Sequence, residues 1–282
     1  MIKQIACGRR KPNMTRKEYN DHRFQVHGRI TDGPDRSCCP TKYIQTPIFD
    51  AAFGKRAGDN PPNCNHSWVG RDDITELYFT DVDHLKHVFN SEYVRNTIGP
   101  DGLLFADFET TIVLMAREMT VELSSVAEGS YPEEGYGTTA SYFLSPASGD
   151  RNGEGLRTMV EPLFVKSLSQ YTSGEVYRVY ANVGYTSAEF DLNAYFGGGN
   201  MPQFSLVYKL YMKDVKSVPA IRRAQKAFES QAADLVNFVD SFIVFGKEGL
   251  VMDYSRNILF DPARQPVFDE VDYQTAQSHL VQ

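Results

Sequence analysis

The sequence lacks a hydrophobic run of the roughly 20 residues that a membrane-spanning helix needs. The apolar stretch near its start, residues 2–7, is too short for a secretory signal. Basic residues are in deficit, since 29 Lys and Arg stand against 36 Asp and Glu, and the net charge of −7 disfavours a nucleic-acid partner. We therefore expect a cytoplasmic protein with no membrane span and no nucleic-acid partner.

Cysteine is scarce, and the motifs of common cofactors are missing. Four cysteines in 282 residues are too few for a disulfide scaffold. Cys38 and Cys39 are adjacent, a spacing that suits neither a zinc knuckle nor a redox pair, and Cys64 with His66 adds only a weak pair of candidate ligands. No glycine-rich dinucleotide motif after a strand, no phosphate-binding loop and no nucleophile elbow occurs. We predict no metal and no cofactor.

What the sequence does contain is a repeat. The pattern L-Y-x-x-D-V occurs at 77–82 and again at 210–215, an offset of 133 residues. The pattern F-x-D occurs at 105–107 and at 238–240, with the same offset and the same spacer of 22 residues between Val and Phe. Two matches at one offset indicate that the chain contains two copies of one unit.

Each copy has the same predicted order of elements. Runs of aromatic and β-branched residues predict strands, and apolar residues at helical spacing predict helices. The sequence T-R-K-E at 15–18 is a capping box that starts the first helix. In the first copy we predict strands at 2–7, 43–52, 73–80 and 108–115, with helices over about 15–31 and after Asp81; in the second, strands at 139–144, 176–183, 203–212 and 241–245, with helices over 155–170 and after Asp214.

The order β-α-β-β-α-β is the ferredoxin-like arrangement, so we predict an α+β protein with antiparallel sheets. One sheet face of such a unit stays uncovered by its own helices, and packing the two units together buries it. We therefore predict a fused pseudo-dimer, with units at 1–123 and 139–253, a linker at 124–138 and a C-terminal arm at 254–282; a further homodimer is left open. Two long connections, 54–72 and 184–202, are typical of lids or binding loops.

The histidines favour the first unit as the site of any acid–base chemistry. Five of the six lie within the first 87 residues, and histidine titrates close to physiological pH. On an α-helix, Tyr19 and Arg23 share one face, and His22 and His27 flank that face on opposite sides. His27 is the candidate acid–base residue. The alternative is a boundary residue that only binds a backbone carbonyl.

Two further groups are candidates for the site. Glu76 and Tyr78 alternate along a predicted strand and so share a sheet face, where a buried carboxylate could orient an imidazole or act as a base. The alternative for Glu76 is an ion pair or a helix cap. His66 and Trp68 lie in the first long loop, where they could close an apolar pocket. The alternative is that the indole anchors its own loop to the core.

The first half also resembles EthD-domain proteins of the dimeric α+β barrel superfamily. The resemblance covers most of residues 1–120, points to a larger, fungal-type branch with two fused units, and extends to the second half by pattern only. It is carried by the strand at 2–10 and by M-T-R-K-E-Y (14–19), F-Q-V-H-G (24–28), V-G-R-D-D-I-T-E-L-Y-F (69–79) and F-A-D-F-E (105–109).

The resemblance implies an activity. Similar barrels act on polyketide and related intermediates as dehydratases, cyclases, decarboxylases or oxygenases, without metal or organic cofactor. It implies His27 as the acid–base residue and places Glu76 at a recurring acidic position. We expect these two as catalytic residues, and we expect the substrate to contact the following side chains: Tyr19, His22, Arg23, His66, Trp68 and Tyr78.

Taken together, these features predict a cofactor-independent enzyme of natural-product biosynthesis. It would be a lyase or isomerase of the dehydratase or cyclase type, including pericyclic ring closure, and would act on a hydrophobic polyketide or terpenoid intermediate. Two alternatives stay open: a non-catalytic small-molecule binding or carrier protein, and a cofactor-free oxygenase.

Overall fold

The described part of the chain, residues 1–54, 67–124, 126–196 and 201–268 of this computed structural model, is organised around a closed antiparallel barrel. Eight strands form the barrel in the order β3-β1-β4-β6-β7-β5-β8-β2, and pairing of β2 with β3 closes it, while β9 pairs with the first half of β2. The strands are β1 (Ile2–Gly8), β2 (Lys42–Phe53), β3 (Asp73–Phe79), β4 (Ile112–Thr120), β5 (Thr138–Leu144), β6 (Val176–Gly184), β7 (Leu206–Met212), β8 (Phe242–Lys247) and β9 (Gly249–Asp253).

Helices cover the outside of the barrel. Helix α1 consists of three consecutive segments, α-helical Arg16–Asp21, π-helical His22–Gly28 and α-helical Arg29–Thr31. Helix α3 begins with a π-helical segment, Val94–Ile98, and continues as Gly99–Phe105. The others are α2 (Val82–Asn90), α4 (Gly153–Tyr171), α5 (Leu192–Phe196) and α6 (Val218–Gln231). Among the described residues, none of these helices combines the length and the apolar character needed to cross a bilayer.

The predicted fold class is confirmed. The first unit has the strand order β2-β3-β1-β4 and the second β6-β7-β5-β8, which is the ferredoxin-like order in both. The units meet by hydrogen bonding at two edges, β4 with β6 and β2 with β8, so the sheets join into one barrel as well as facing each other. The last strand of the first unit begins at Ile112, later than predicted, because a 3₁₀ turn occupies Phe108–Thr110.

Short polar signals start the helices where the sequence predicts them. The Thr15 side chain accepts from the Glu18 backbone N–H while Glu18 accepts from the Thr15 N–H, which completes the capping box. Asp81 caps α2 by accepting from the His84 N–H at 2.8 Å. Asp214 accepts from the Lys216 N–H at 2.7 Å in the turn before α6. The capping residues therefore occupy equivalent places in the two units.

The described part of the C-terminal arm, residues 254–268, contains two short 3₁₀ turns and follows the surface of the first unit. Arg264 Nε donates to the Leu250 carbonyl at 2.8 Å, which ties the arm to β9. Gln265 Nε2 donates to Asp21 Oδ1 at 2.9 Å, which ties it to α1.

The interior of the barrel combines an apolar core with a buried cluster of charges. Side chains of both units form the apolar part, and the rings of Phe143 and Phe242 stack at 4.7 Å. In the charged part, Lys209 Nζ lies 2.7 Å from Glu76 Oε1 and 2.5 Å from Glu248 Oε1. Lys3 Nζ lies 3.0 Å from Glu76 Oε2. The side chains of Lys3, Glu76, Lys209 and Glu248 are each at most 5% exposed.

Glu76 and Lys209 are the same position of the repeat, 133 residues apart. Two identical units related by a twofold axis would bring like charges together at such a position. The fused chain instead carries a carboxylate in one copy and an ammonium group in the other, and the two form a buried ion pair. Burial opposes ionisation of Glu76, but Lys209 and Lys3 outweigh it and lower the pKa of Glu76 to about 2.

We predict that Glu76→Gln lowers the free energy of unfolding by about 3 kcal/mol at pH 7, because it removes the shared partner of two buried lysines. The difference from the unchanged protein should shrink as the pH falls from about 4.5 towards 2, since the Glu76 carboxylate gains its proton over this range. Urea denaturation measures both effects. Glu189→Gln, which removes the exposed partner of the half-buried Lys86 at the surface, is the control and should have almost no effect. Equal effects of the two substitutions would contradict the interpretation.

Candidate active site

The first unit contains a cavity of about 550 Å³ between the outer face of its sheet and the helices above it. Gln4, Ala6 and Gly8 of β1, with Asp73, Thr75 and Leu77 of β3, form its floor. Helices α1, α2, α3 and α5, with the turn before β4 and one residue of β2, supply the rest of the wall. Most of these side chains are apolar: Phe89, Val94, Ile98, Pro100, Leu103, Phe105, Phe108, Tyr195 and Phe196. The polar ones include Tyr19, Arg23, His27, Tyr43 and Arg95.

Small residues on the floor explain why the cavity lies in the first unit. Ala6 pairs with Thr75 in β1 and β3, and the equivalent pair in β5 and β7 is Tyr142 with Tyr208. In the second unit the Tyr208 ring stacks on Phe164 at 4.2 Å, and these side chains belong to its solid core. The larger residues therefore fill the space that the first unit leaves open.

The π-helical segment of α1 directs two histidines to one carboxylate. His22 Nε2 lies 2.9 Å from Asp101 Oδ1, and His27 Nδ1 lies 2.8 Å from Asp101 Oδ2. Residues five apart on an α-helix are about 140° apart around the axis, whereas a π-helix bonds i to i+5 and brings them to the same side. The prediction that His22 and His27 flank the face of Tyr19 and Arg23 on opposite sides is therefore wrong, because it assumed α-helical winding.

Asp101 holds the imidazole ring of His27 through Nδ1. The Asp101 carboxylate can only accept, so Nδ1 carries the proton that joins them and Nε2 keeps its lone pair. Burial lowers the pKa of His27, while the hydrogen bond to Asp101 opposes this shift. Burial would raise the pKa of Asp101, but hydrogen bonds from His27 and His22 hold it below its usual value. His27 lines the cavity, and its Nε2 has no hydrogen-bond partner among the described residues.

A second polar group lies at the same end of the cavity. Arg23 Nε donates to Asp73 Oδ2 at 2.6 Å, and Tyr19 donates its hydroxyl proton to the other oxygen of Asp73. Arg23 Nη1 reaches the Tyr43 hydroxyl at 3.3 Å. Gly8 is required beside this group, because a Cβ there would come within 2.7 Å of Asp73 Oδ1. Arg23 Nη2 donates to the Thr75 hydroxyl and also contacts Asp73, so the guanidinium group is largely engaged within the protein. Arg23 is 4% exposed and lines the cavity, and an N–H of Nη1 is the part left for a bound molecule.

Only some of the predicted site residues lie at the cavity. Tyr19, Arg23 and His27 line the cavity, whereas His22 does not and is linked to His27 through Asp101. Glu76 and Tyr78 share a face of β3, as predicted, but it is the inner face, on the other side of the sheet from His27. Glu76 there forms the ion pairs given above.

The two loop residues fall elsewhere. Trp68 packs in part against the apolar core inside the barrel, and its carbonyl accepts from Arg71 Nε at 2.7 Å, which matches the alternative of an anchoring indole. His66 lies outside the described residues, as does Cys64.

Sequence reasoning missed Asp101 and Asp73. Asp101 follows Pro100 in the first turn of the α-helical part of α3, where an acidic residue is favoured by the helix dipole alone. Asp73 starts a predicted strand, and the available signal was a carboxylate where a buried apolar residue would be usual. In each case the partner is at least 50 residues away, so no local pattern reveals the contact.

Comparisons with known proteins agree with this architecture. Residues 11–109 match the family described as EthD domain, a range that contains both the His27–Asp101 and the Arg23–Asp73 pairs. No curated protein matches the sequence significantly. The first half of the chain is therefore similar to EthD domains, as the sequence resemblance predicts.

Solved structures are similar in fold at low sequence identity. An anthrone oxidase-like protein matches with a TM-score of 0.51 and 10% identity, over 90% of this chain and 94% of that one. A protein from Fusobacterium nucleatum assigned as a monooxygenase has a TM-score of 0.48 and 9% identity over 88% and 91%. A chlorite dismutase from Candidatus Nitrospira defluvii has 0.43 and 8% over 89% and 91%. The first of these supports the dimeric α+β barrel fold.

We predict that Ala6→Phe weakens binding of the apolar dye N-phenyl-1-naphthylamine at least tenfold, because the ring would occupy the cavity as Tyr142 occupies its equivalent space. Dye fluorescence measures the affinity, and thermal melting checks that the fold is intact. Ala233→Phe, at an exposed position of the second unit, is the control and should leave the affinity unchanged. Unchanged affinity in folded Ala6→Phe would show that the dye does not enter this cavity.

Proposed function

We propose that the protein is an enzyme that binds a hydrophobic small molecule in the first-unit cavity and removes a proton from it with His27. The observation that carries this proposal is the His27 side chain at the cavity wall, with Nδ1 held by Asp101 and Nε2 without a partner among the described residues. A general base needs a free lone pair within reach of a bound molecule, and His27 has both.

The surroundings of His27 suit the role of a base. Its lowered pKa keeps the imidazole neutral at pH 7, ready to accept a proton. When Nε2 takes the proton, Asp101 stabilises the imidazolium ion across the 2.8 Å hydrogen bond. Asp101 in turn is fixed by His22, so the carboxylate is held in place before the reaction begins.

The cavity indicates the class of substrate. Its volume of about 550 Å³ lies in the range of small-molecule sites, and its wall is mostly apolar. Arg23 is paired with Asp73, but an N–H of its Nη1 faces a site near the same end as His27, so a carbonyl or phenol oxygen placed there could accept a hydrogen bond as it gains negative charge. A hydrophobic polyketide or terpenoid intermediate with an acidic C–H or O–H group meets these requirements.

Proton removal would begin either of two reactions. The enolate formed can expel a β-hydroxyl group, which takes the proton back from the His27 imidazolium and leaves as water. It can instead add to a second carbonyl of the substrate and close a ring, where the same proton goes to the new alkoxide. These steps give the dehydratase or cyclase activity that we propose. His27 accepts the proton in that step, and Arg23 donates a hydrogen bond to the oxygen that gains negative charge. An enolate can also react with dioxygen, which would make the protein an oxygenase, and a carrier would bind without turnover; the experiments below separate these outcomes.

We predict that the protein accelerates exchange of the C10 protons of anthrone and 1,8-dihydroxyanthrone with deuterium in D2O under argon, because the anion formed at C10 is delocalised through the rings onto the C9 carbonyl oxygen. His27→Ala should reduce the enzymatic exchange rate by about 10²-fold. His87→Ala, an exposed histidine away from the cavity, is the matched control and should keep the full rate. Proton NMR measures the exchange.

Three other results would each point away from this proposal in a different way. A loss under about threefold in folded His27→Ala would remove this residue from the role of base. Binding of both compounds with no exchange would favour a carrier. Repeating the experiment in air with an oxygen electrode tests for an oxygenase. An oxygenase would consume oxygen faster than the same solution without protein, and this excess would depend on His27.

We also predict that the exchange rate rises with pH to a plateau, with a midpoint below 6.5, because His27 acts in its neutral form and burial lowers its pKa. Asp101→Asn removes the hydrogen bond that raises the pKa, so the midpoint should move to still lower pH and the plateau should fall. Rates measured between pH 4 and 8 test both statements. A midpoint above 6.5, or one that rises in Asp101→Asn, would contradict them.

A further inference from the structure

The C-terminal arm contacts α1 at the start of the π-helical segment that carries the two site histidines. Gln265 Nε2 donates to Asp21 Oδ1 at 2.9 Å, and Gln265 Oε1 accepts from Gln25 Nε2. Asp21 is the last residue of the α-helical part, Arg16–Asp21, and Gln25 lies within the π-helical part, His22–Gly28. One glutamine of the arm therefore bridges the point where the winding of α1 changes.

The arm also holds the other end of the same segment. Asp32, which follows α1 directly, accepts from the Tyr254 hydroxyl at 2.8 Å and from the Phe260 backbone N–H at 2.7 Å. Between the two ends, the ring of Phe260 lies 5.8 Å from that of Phe24 and faces Gly28, where a Cβ would lie 3.4 Å from it. The contacts of the arm thus extend along the whole π-helical segment.

Contacts at both ends fix how far the helix winds between them. An α-helix has 3.6 residues per turn, and a π-helix, whose bonds join i to i+5, has more residues in each turn. If residues 22–28 rewound as an α-helix, Asp32 would turn about the helix axis relative to Asp21. The arm binds both carboxylates, so such a turn would break its hydrogen bonds at one end. Because π-helices are mostly limited to a single turn, a π-helical segment of seven residues depends on contacts of this kind.

The winding of this segment decides whether both histidines reach Asp101. The π-helical form places His22 and His27 at 2.9 and 2.8 Å from the two carboxylate oxygens. With α-helical winding the two side chains would be about 140° apart, and at least one would lose its hydrogen bond. A change of winding would therefore release the imidazole that the proposed function uses as its base.

We propose that the C-terminal arm is a positioning element of the active site, which holds His27 on Asp101 by fixing the π-helical winding of α1. Gln265 acts at one end of the segment and the partners of Asp32 act at the other. Neither Gln265 nor Asp32 lines the cavity, so both act through α1. The proposal rests on the proposed function for the role of His27 as the base, whereas the effect of the arm on the winding does not depend on it.

Substitutions that free each end of the segment test the proposal: Gln265→Ala, Asp32→Ala and the two together. In the double variant, we expect the Nδ1 proton of His27 to exchange with solvent about tenfold faster or more, because it loses its hydrogen bond to Asp101. ¹H–¹⁵N NMR of the histidine rings measures this exchange. The single variants should change in the same direction by less, and Asp32→Asn, which keeps an acceptor oxygen, should recover most of what Asp32→Ala loses.

The same variants should lose activity because the base moves relative to the substrate. Enzymatic exchange of the anthrone C10 protons should fall by about tenfold or more in the double variant, since small displacements of a reacting group have large effects on rate. Gln231→Ala is the matched control, because Gln231 Nε2 donates to Ser167 Oγ at 3.2 Å and to the Ala227 carbonyl at 2.8 Å in the second unit. It should leave the His27 proton and the rate unchanged.

Two outcomes would overturn the proposal. One is a double variant that keeps the protected His27 proton. The other is an equal loss of protection in Gln231→Ala, which would assign the effect to general destabilisation. Thermal melting shows that each variant is folded; if the double variant is not, Gln265→Ala alone decides by the same criteria. Failure of the proposed function is seen separately, because the ring proton is measured without substrate. If His27→Ala keeps anthrone exchange, the general base is wrong while the effect of the arm on the winding stands.

Discussion

The ion pair between Glu76 and Lys209 lies where the two halves of this chain meet, at one position of the repeat. In a dimer of identical subunits, a residue near the twofold axis meets its own copy, and a buried carboxylate would face a carboxylate. Fusion of two units in one chain removes that restriction, so the two copies can carry opposite charges. Strand pairing at β4–β6 and β2–β8 then closes the barrel around side chains of opposite charge. The asymmetry of the two units therefore begins inside the barrel.

The same divergence continues on the outer faces of the sheets, where it gives the first unit its cavity. Tyr142 and Tyr208 fill the second unit, while Ala6 and Thr75 leave space in the first. That space is bounded by helices with π-helical segments, one of which brings His22 and His27 to Asp101. One copy of the unit thus supports the barrel with a solid core, and the other holds the groups suited to acid–base chemistry.

Much of this architecture follows from local sequence. The remaining parts are set by contacts between distant residues or by unusual helical winding. The repeat and the capping residues Thr15 and Glu18 predicted the order of elements, because their chemistry acts within a few residues. Alternation correctly placed Glu76 and Tyr78 on one face of β3. It could not say which face, since both faces of this sheet are buried, one inside the barrel and the other under helices. The positions of His22 and His27 required knowledge of the π-helical segment, and Asp101 required the tertiary fold.

The central claim is that His27 is a neutral base, held by Asp101, at the wall of a cavity that binds the substrate. ¹⁵N NMR of the histidine side chains, with and without 1,8-dihydroxyanthrone, tests it most directly. The account predicts that at pH 7 the Nδ1 of His27 carries the proton, that Nε2 does not, and that the Nε2 signal shifts when the ligand binds while that of His87 does not. A proton on Nε2, or a His27 signal that the bound ligand leaves unchanged, would contradict the account.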